Sequence, residues 1–232
     1  MKKVILITGT RKGIGKELAE YYLSLGCNVI GCSRGPGTIV NSDYRHYELD
    51  VSNEKDVVKM VRAVKKEFER IDILLNNAGI ASMNHFLTTP YQTVQNIFNT
   101  NFFGTFLFSR EVSKVMIRQK YGRIITISSL SVPLLLRGTS AYTATKSAIV
   151  DMTKVLAKEL APTGVTCNVI NPGLIETGVT KNFSNAWKEM LLNKQTIKST
   201  HSIEELCNII DFFIGNRSSC VTGQVISMGL VT

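Results

Sequence analysis

Short apolar runs alternate with longer amphipathic stretches along the whole 232-residue chain. Seven runs of four to six residues have the length and composition of strands: Val4–Ile7, Cys27–Cys32, Tyr44–Leu49, Ile71–Leu75, Arg123–Ser128, Val165–Ile170 and Gln224–Met228. Five stretches between them space apolar residues three or four apart, as helices do: Gly15–Leu25, Glu54–Glu69, Tyr91–Gln119, Ala141–Leu160 and Ile203–Ile214. Strict strand–helix alternation predicts an α/β fold with a doubly wound, parallel, seven-stranded sheet.

Composition supports one globular domain over residues 1–232. Hydrophobic residues make up 44% and charged residues 19%, which excludes a disordered chain, and no Ser- or Pro-rich linker divides the pattern. No apolar run approaches the roughly 18 residues of a membrane-spanning helix. The apolar stretch after Lys2 and Lys3 is too short for an export signal. Five cysteines without CxxC spacing predict reduced thiols in a cytoplasmic protein.

The formal net charge of +9 is unevenly distributed, because residues 110–158 hold nine basic and two acidic side chains. A solvated basic face is one interpretation. An acidic substrate, cofactor or carrier protein is the second. Nucleic-acid binding is the third, but no aromatic-interleaved basic stripe or nucleic-acid motif accompanies the charge. We therefore expect neither a nucleic-acid nor a membrane partner.

A glycine-rich turn joins the first predicted strand to the first helix, and it reads Thr8-Gly9-Thr-Arg11-Lys12-Gly13-Ile14-Gly15. Such a turn lets the backbone approach a pyrophosphate at the positive end of a helix, as in a Rossmann fold. The spacing is Gly-x3-Gly-x-Gly rather than the commoner Gly-x-Gly-x2-Gly. A tight turn that binds nothing is the alternative.

Further motifs follow this turn in order: Asp50-Val51, Asn76-Asn-Ala-Gly79, Asn101, Ser129, Tyr142-x3-Lys146 and Pro172-Gly173. Together with the TGxxxGxG turn they resemble the short-chain dehydrogenase/reductase family, and among its members the 3-oxoacyl-[acyl-carrier-protein] reductases most. The resemblance implies a nicotinamide cofactor and a substrate lid over about residues 176–200. It also implies a homotetramer or homodimer that pairs the helices Tyr91–Gln119 and Ala141–Leu160. We expect some of four phenylalanines to face a partner subunit, because together they supply more apolar surface than one sheet face needs: Phe102, Phe103, Phe106 and Phe108.

The end of the second strand favours NADP(H) over NAD(H). It reads Ser33-Arg34 with no acidic residue to bind a ribose 2′-hydroxyl, and Arg34 and Lys12 suit a 2′-phosphate. Two solvated loop cations are the alternative. By resemblance, Asp50 and Val51 would contact the adenine, and Asn76 and Gly79 would border the adenine-side ribose. The cofactor contacts implied in full are Gly9, Arg11, Lys12, Gly13, Ile14, Gly15, Ser33, Arg34, Asp50, Val51, Asn76, Ala78, Gly79, Tyr142, Lys146, Pro172, Gly173, Ile175 and Thr177.

Tyr142 and Lys146 are four residues apart and project from one face of a predicted helix. A neighbouring ammonium would lower the tyrosine pKa and make it useful in proton transfer. By resemblance, Tyr142 donates the proton to a carbonyl, Ser129 orients that carbonyl, and Lys146 binds the nicotinamide ribose. Ser129, thirteen residues before Tyr142, is preferred over Ser128 by its spacing.

Asn101 resembles a residue that holds a water in a proton relay, although a satisfied core polar group is the alternative. His46, His85 and His201 are scattered, so we expect structural roles for them and no metal.

The substrate is less constrained. Leu134–Leu136, Met83 and Phe86 either line an apolar cleft or pack in the core, and Phe183 and Trp187 share one helical face. Lid cations suit an anionic substrate or carrier: Lys181, Lys188, Lys194 and Lys198.

Lys120 occupies a carrier-contact position of the reductases, whereas Thr163 and a C-terminal segment without a double glycine depart from them. The preferred substrate is a 3-oxoacyl thioester. The alternatives are a sugar nucleotide or another small ketone or alcohol, or a non-catalytic NADP-binding sensor.

Overall fold

A computed structural model describes residues 2–176 and 184–231. Its strands are β1 Val4–Thr8, β2 Asn28–Ser33, β3 Tyr44–Glu48, β4 Ile73–Asn76, β5 Gly122–Ile127, β6 Val165–Asn171 and β7 Val225–Ser227. They form one sheet in the order β3-β2-β1-β4-β5-β6-β7, and every neighbouring pair is parallel. This confirms the predicted doubly wound α/β fold, with strand ends that differ from the predicted ones by one or two residues.

The main helices cover both faces of the sheet. They are α1 Ile14–Ser24, α2 Glu54–Phe68, α3 Tyr91–Ile97, α4 Gly104–Gln119, α5 Ser131–Leu134, α6 Ser140–Leu160, α7 Asn185–Lys194 and α8 Ile203–Ile214. Residues of α1 and α8 share a core cluster with Ile5 and Ile7, whereas residues of α2, α4 and α6 share another with Leu6. Because successive strand residues face opposite layers and both layers are buried, the strands are almost continuously apolar.

The predicted helix Tyr91–Gln119 is interrupted in the structure. Between α3 and α4, residues Phe98–Phe103 form a wide π-helical turn with Asn101 at its centre. The Asn101 side chain is fully buried and pairs with the backbone of Ile80. The inserted residue that makes a π turn is common at functional sites, and apolar periodicity does not reveal it. The short helix α5 is not among the predicted helices, and α7 is predicted only through the helical face that carries Trp187.

The sheet reverses its winding between β1 and β4, which are neighbours although two strands separate them in the chain. Crevices at such a switch point, beyond the carboxyl ends of the strands, are where this class of fold binds ligands. The loops that follow β1, β2, β4, β5 and β6 all meet at this edge. Most predicted site residues lie in these loops.

No helix in the described ranges is long and apolar enough to cross a membrane. All five cysteines are free thiols, three of them buried.

Candidate active site

The glycine turn after β1 is tied to the loop after β4. The Thr8 hydroxyl accepts hydrogen bonds from the backbone N–H groups of Asn77 and Ala78, at 3.0 and 2.9 Å. The Asn77 amide donates in return to the Thr8 carbonyl at 2.8 Å. These hydrogen bonds join the loops after β1 and β4 into one surface at the switch point, the floor of the cleft.

This floor leaves room for a phosphate at the start of α1. Gly13 precedes α1 with a φ of 61° and has no side chain that could cap the first N–H groups of the helix. A Cβ atom at Gly15 would lie 2.3 Å from the Gly9 carbonyl oxygen, so only glycine permits this close packing. A free, positive helix end with an approachable backbone fits a pyrophosphate.

Three exposed cations surround the adenosine end of this floor: Arg11, Lys12 and Arg34. Within residues 2–176 and 184–231, none of their side chains forms an ion pair or hydrogen bond with the protein. A Cβ atom at Gly35 would lie 2.9 Å from Nη1 of Arg11, which places the Arg11 guanidinium beside the loop that carries Arg34. The cluster suits a 2′-phosphate.

The first asparagine of the Asn76-Asn77-Ala78-Gly79 motif differs from the expectation. Asn76 is buried, and its Nδ2 donates to Ser109 of α4 at 2.9 Å, so its side chain faces the core rather than a ribose. The neighbouring Asn77 lines the cavity instead and contacts the glycine turn. Strand alternation sends adjacent residues to opposite faces, and the motif alone does not say which asparagine faces the cavity.

Asp50 and Val51 lie after β3. The Asp50 carboxylate accepts hydrogen bonds from the backbone and hydroxyl of Ser52. The Val51 side chain is buried, and a Cβ atom at Gly104 would lie 2.6 Å from its Cγ2. Both residues are at the cofactor edge, where their expected adenine contact stays a prediction.

Ser129 and Tyr142 come together where β5 ends and α6 begins. Burial raises the pKa of Tyr142, and a hydrogen bond with Ser129 acts in the opposite direction. Ser128, in contrast, is buried and donates to the Lys146 carbonyl at 3.2 Å. The geometry thus separates the two serines, with Ser129 beside the tyrosine and Ser128 in the packing of α6.

Lys146 lies one turn beyond Tyr142, with Nζ 5.9 Å from the centre of the tyrosine ring. The ammonium is almost fully buried, donates to the Ile127 carbonyl at 2.8 Å, and burial lowers its pKa to about 8. The sequence predicts that Lys146 lowers the Tyr142 pKa. In the structure burial is the largest influence and raises the Tyr142 pKa, and the opposing influence comes from the hydrogen bond with Ser129 rather than from Lys146. Desolvation disfavours the charged forms of both Tyr142 and Lys146.

Asn101 stands beside this pair. Its Oδ1 accepts from the Ile80 N–H at 2.8 Å, and its Nδ2 donates to the Ile80 carbonyl and to Thr145 of α6. A Cβ atom at Gly79 would lie 3.4 Å from Asn101 Oδ1 and 3.5 Å from Lys146 Nζ. The side chain is therefore engaged with protein groups, and it aligns the π turn with α6.

These groups open onto a cavity of about 720 Å³. Besides the residues above, most of its wall is apolar: Ile14, Ile80, Ala81, Met83, Ile127, Leu130, Leu136, Pro172, Leu174, Ile175, Trp187 and Leu191. Leu134 packs in the core cluster below, while Leu135 and Phe86 are 74% exposed and do not line the cavity. Thr177, Lys181 and Phe183 lie outside the described residues.

The Pro172–Ile175 segment is held by two residues outside the predicted site, Gln195 and His201. His201 N donates to the Leu174 carbonyl, and Gln195 Oε1 accepts from the Leu174 N–H at 3.0 Å. The His201 ring packs under Gly173, where a Cβ atom would lie 2.5 Å from its Cδ2. In the described ranges, no three His, Cys, Asp or Glu side chains are grouped as metal ligands.

Fold and site together define a dinucleotide-binding α/β protein with a tyrosine–lysine pair in its cavity. Residues 3–188 match the short chain dehydrogenase family, and the chain belongs to that family. It is therefore an oxidoreductase with a nicotinamide cofactor.

The chain is 37% identical over 232 residues to a 3-oxoacyl-[acyl-carrier-protein] reductase of Buchnera aphidicola (subspecies Baizongia pistaciae), covering 97% of this chain and 95% of that one. It is 30% identical to the enzyme of the same name from Escherichia coli, covering 97% and 94%. The solved structure of ElxO with NADP bound superposes with a TM-score of 0.91 at 28% identity, covering 98% of this chain and 97% of that one.

Proposed function

We propose that this protein reduces the ketone of a 3-oxoacyl thioester to an alcohol with NADPH as the cofactor. The observation that carries the proposal is the Ser129–Tyr142–Lys146 group at the base of a largely apolar cavity. The similarity to 3-oxoacyl-[acyl-carrier-protein] reductases and to an NADP-bound structure supports it.

The chain's own groups fit the cofactor along the switch point. Gly9, Gly13 and Gly15 leave the approach to the first N–H groups of α1 open for the pyrophosphate, and Arg11, Lys12 and Arg34 would hold the 2′-phosphate. Gly79, Lys146 and the Pro172–Ile175 segment would enclose the nicotinamide end. When bound, the nicotinamide supplies the hydride for reduction.

The proton comes from Tyr142 in this proposal. The raised pKa keeps its hydroxyl protonated near neutrality, as a donor must be, and Ser129 holds the substrate oxygen next to it. Transfer of the proton leaves a phenolate, which the Lys146 ammonium stabilises from the next helical turn. With a pKa of about 8, Lys146 carries its charge in most molecules at pH 7. Asn101 positions these groups rather than moving the proton.

The wall of the cavity favours an acyl chain over a sugar nucleotide. Lys146 is the one cation among the described lining residues, so the wall offers a nucleotide diphosphate substrate few charge-assisted hydrogen bonds. Lys188, Lys194 and Lys198 are on or near α7, and none of them lines the cavity. A non-catalytic sensor is disfavoured because it would have no use for the tyrosine proton donor.

A carrier protein remains a proposed partner, with a geometric constraint on where it docks. Lys120 precedes β5 while Ser129 follows it, and a six-residue strand spans about 20 Å. A carrier bound at Lys120 would therefore face away from the cavity of the same subunit. Delivery from Lys120 requires an assembly, such as the proposed homodimer or homotetramer, in which this surface adjoins another subunit's cavity.

The half-exposed Phe103 and Phe106, at the junction of the π turn and α4, support such a contact, whereas Phe108 is buried in the core.

The test is NADPH oxidation with acetoacetyl-coenzyme A, compared with NADH and with a panel of aldoses and small ketones. We expect turnover with the thioester, and a preference for NADPH. Turnover of a sugar or simple ketone without thioester activity would overturn the substrate assignment. Tight NADPH binding without turnover of any carbonyl would favour the sensor.

A further inference from the structure

A chain of hydrogen bonds runs beneath the adenosine end of the site and was not part of any predicted motif. Thr10 Oγ1 lies 2.7 Å from Tyr44 Oη, which lies 2.8 Å from His46 Nδ1. His46 Nε2 lies 3.0 Å from both the Gly35 carbonyl and Ser33 Oγ. The chain thereby connects the glycine turn, through β3, to the loop that carries Arg34.

The Gly35 carbonyl fixes the direction of this chain. A carbonyl oxygen only accepts, so His46 carries its proton on Nε2 and donates it toward Gly35. Nδ1 is then an acceptor for the Tyr44 hydroxyl, which leaves the Tyr44 oxygen to accept from Thr10. Ser33 also donates to the Gly35 carbonyl, at 2.8 Å. Each polar group in the chain has a partner of the right kind.

The surrounding glycines are shaped to this chain. A Cβ atom at Gly31 would lie 2.2 Å from both Thr10 Oγ1 and Tyr44 Oη, and would separate the two hydroxyls. A Cβ atom at Gly37 would lie 2.7 Å from the His46 ring. Gly35, which lacks a Cβ atom, lets the Arg11 guanidinium pack against its backbone. A larger residue at Gly31 would displace Thr10 or Tyr44, and one at Gly37 would displace His46.

We propose that His46, through Tyr44, is a positioning residue that holds the Ser33–Gly35 loop against the glycine turn and so sets the selectivity for a 2′-phosphate. In this role His46 acts through the protein, because its contacts are with Tyr44, Ser33 and Gly35 and it fixes the loop from which Arg34 extends and against which Arg11 packs. The inference rests on the proposed NADPH preference.

The experiment measures Kd by calorimetry for NADPH, NADH, 2′,5′-ADP and 5′-AMP with the purified full chain. Two variants break the chain at different points, Tyr44→Phe and His46→Phe, and His46→Gln keeps a donor toward Gly35. Tyr47→Phe is the matched control, because Tyr47 lies on the same strand, packs in the opposite core cluster and has no part in the network. Circular dichroism and thermal unfolding identify any variant that fails to fold.

We expect Tyr44→Phe and His46→Phe to weaken NADPH and 2′,5′-ADP binding about tenfold, equivalent to about 1.4 kcal/mol. NADH and 5′-AMP binding should change less than about twofold, because they lack the 2′-phosphate. Since glutamine can still donate to Gly35, His46→Gln should retain part of the selectivity. Tyr47→Phe should retain all of it.

Equal losses for the phosphorylated and unphosphorylated ligands, or an unchanged ratio in folded variants, would overturn the role of His46. A wild-type protein without NADPH preference would overturn it as well, and would also remove the cofactor part of the proposed function. The two failures are distinguishable because the second is measured on the wild type alone.

Discussion

The two ends of the cleft differ in whether their cations are exposed to solvent or buried. At the adenosine end, Arg11, Lys12 and Arg34 are exposed cations whose side chains have no partner among the described residues, arranged on hydrogen-bonded loops. At the nicotinamide end, Lys146 is buried in a mostly apolar wall with no carboxylate among its described lining residues, and burial lowers its pKa to about 8. Solvated charge supplies affinity at little folding cost, whereas buried charge is destabilising and is expected where it performs chemistry.

The comparison predicts first that Tyr142→Phe separates chemistry from binding. Removing the proton donor should lower kcat by about 10³-fold, within the range typical of general acid catalysis, while NADPH Kd changes less than about twofold. Steady-state kinetics and calorimetry on the same preparation measure both. Tyr121→Phe is a control outside the cavity, and a kcat near the wild-type value in Tyr142→Phe would show that another group donates the proton.

The second prediction concerns the energetic cost of Lys146. An unfolded lysine has a pKa of about 10.4, so between about pH 8 and pH 10.4 the unfolded chain binds more protons and stability rises with pH. Below pH 8 the folded protein retains the cost of a buried ammonium, about 3 kcal/mol. We expect Lys146→Met to lower turnover about 100-fold or more. The variant should nevertheless be more stable than the wild type at pH 7, because the cost of the buried ammonium exceeds the roughly 1 kcal/mol that its hydrogen bond to the Ile127 carbonyl contributes.

Urea unfolding of the cofactor-free wild type and of Lys146→Met, at pH 7 and again at pH 10, measures this cost. The advantage of the methionine variant should shrink as the pH rises. A variant that is less stable at pH 7, or a difference independent of pH, would mean that the ammonium is not a net cost to the fold.

The adenosine end should behave in the opposite way. Arg34→Ala should weaken NADPH binding about 10- to 100-fold, the effect of one charge-assisted phosphate contact, with less than about 0.5 kcal/mol change in stability. Lys55→Ala, on α2, serves as the control for net charge. NADPH Kd measured at low and high salt should converge between wild type and Arg34→Ala as salt screens the contact. Equal affinity at low salt would remove Arg34 from the phosphate site.

The smallest expected effect is on the preference of the enzyme for the length of the acyl chain. Trp187 of α7 lines the cavity and packs against a buried cluster of four leucines: Leu130, Leu136, Leu174 and Leu191. Trp187→Ala should raise KM for an eight-carbon 3-oxoacyl thioester several-fold, about 1 kcal/mol of lost apolar contact, and leave acetoacetyl-coenzyme A nearly unchanged. Trp187→Phe should restore most of the difference. Parallel changes for both substrates would place the acyl chain elsewhere.

At both ends of the cleft, local features are predicted from the sequence better than contacts between distant segments. The sheet and the glycine turn follow from strand periodicity and local spacing. The Tyr142–Lys146 pair also has a local spacing, but its role is predicted only because Ser129 precedes Tyr142 by thirteen residues, as the family resemblance implies. The choice of Ser129 over Ser128 likewise agrees with the side-chain directions in the structure.

Features that join distant segments were not predictable in this way. The Asn101–Ile80 pairing inserts a residue into a helix, and only the contact between two elements reveals it. The orientation of Asn76 toward Ser109 depends on which strand face α4 covers. The Thr10–Tyr44–His46 chain requires three strands in register, so that His46 is predicted from the sequence only as a scattered structural histidine.

The division of labour between the two ends is the central claim, and the double variant Arg34→Ala/Tyr142→Phe tests it most directly. NADPH Kd and kcat with acetoacetyl-coenzyme A are measured for wild type, both single variants and the double variant. We predict that the double variant has the Kd of Arg34→Ala and the kcat of Tyr142→Phe, because the two sites act independently. A Kd that changes with Tyr142→Phe, or a kcat at saturating NADPH that falls more than about threefold with Arg34→Ala alone, would contradict the separation.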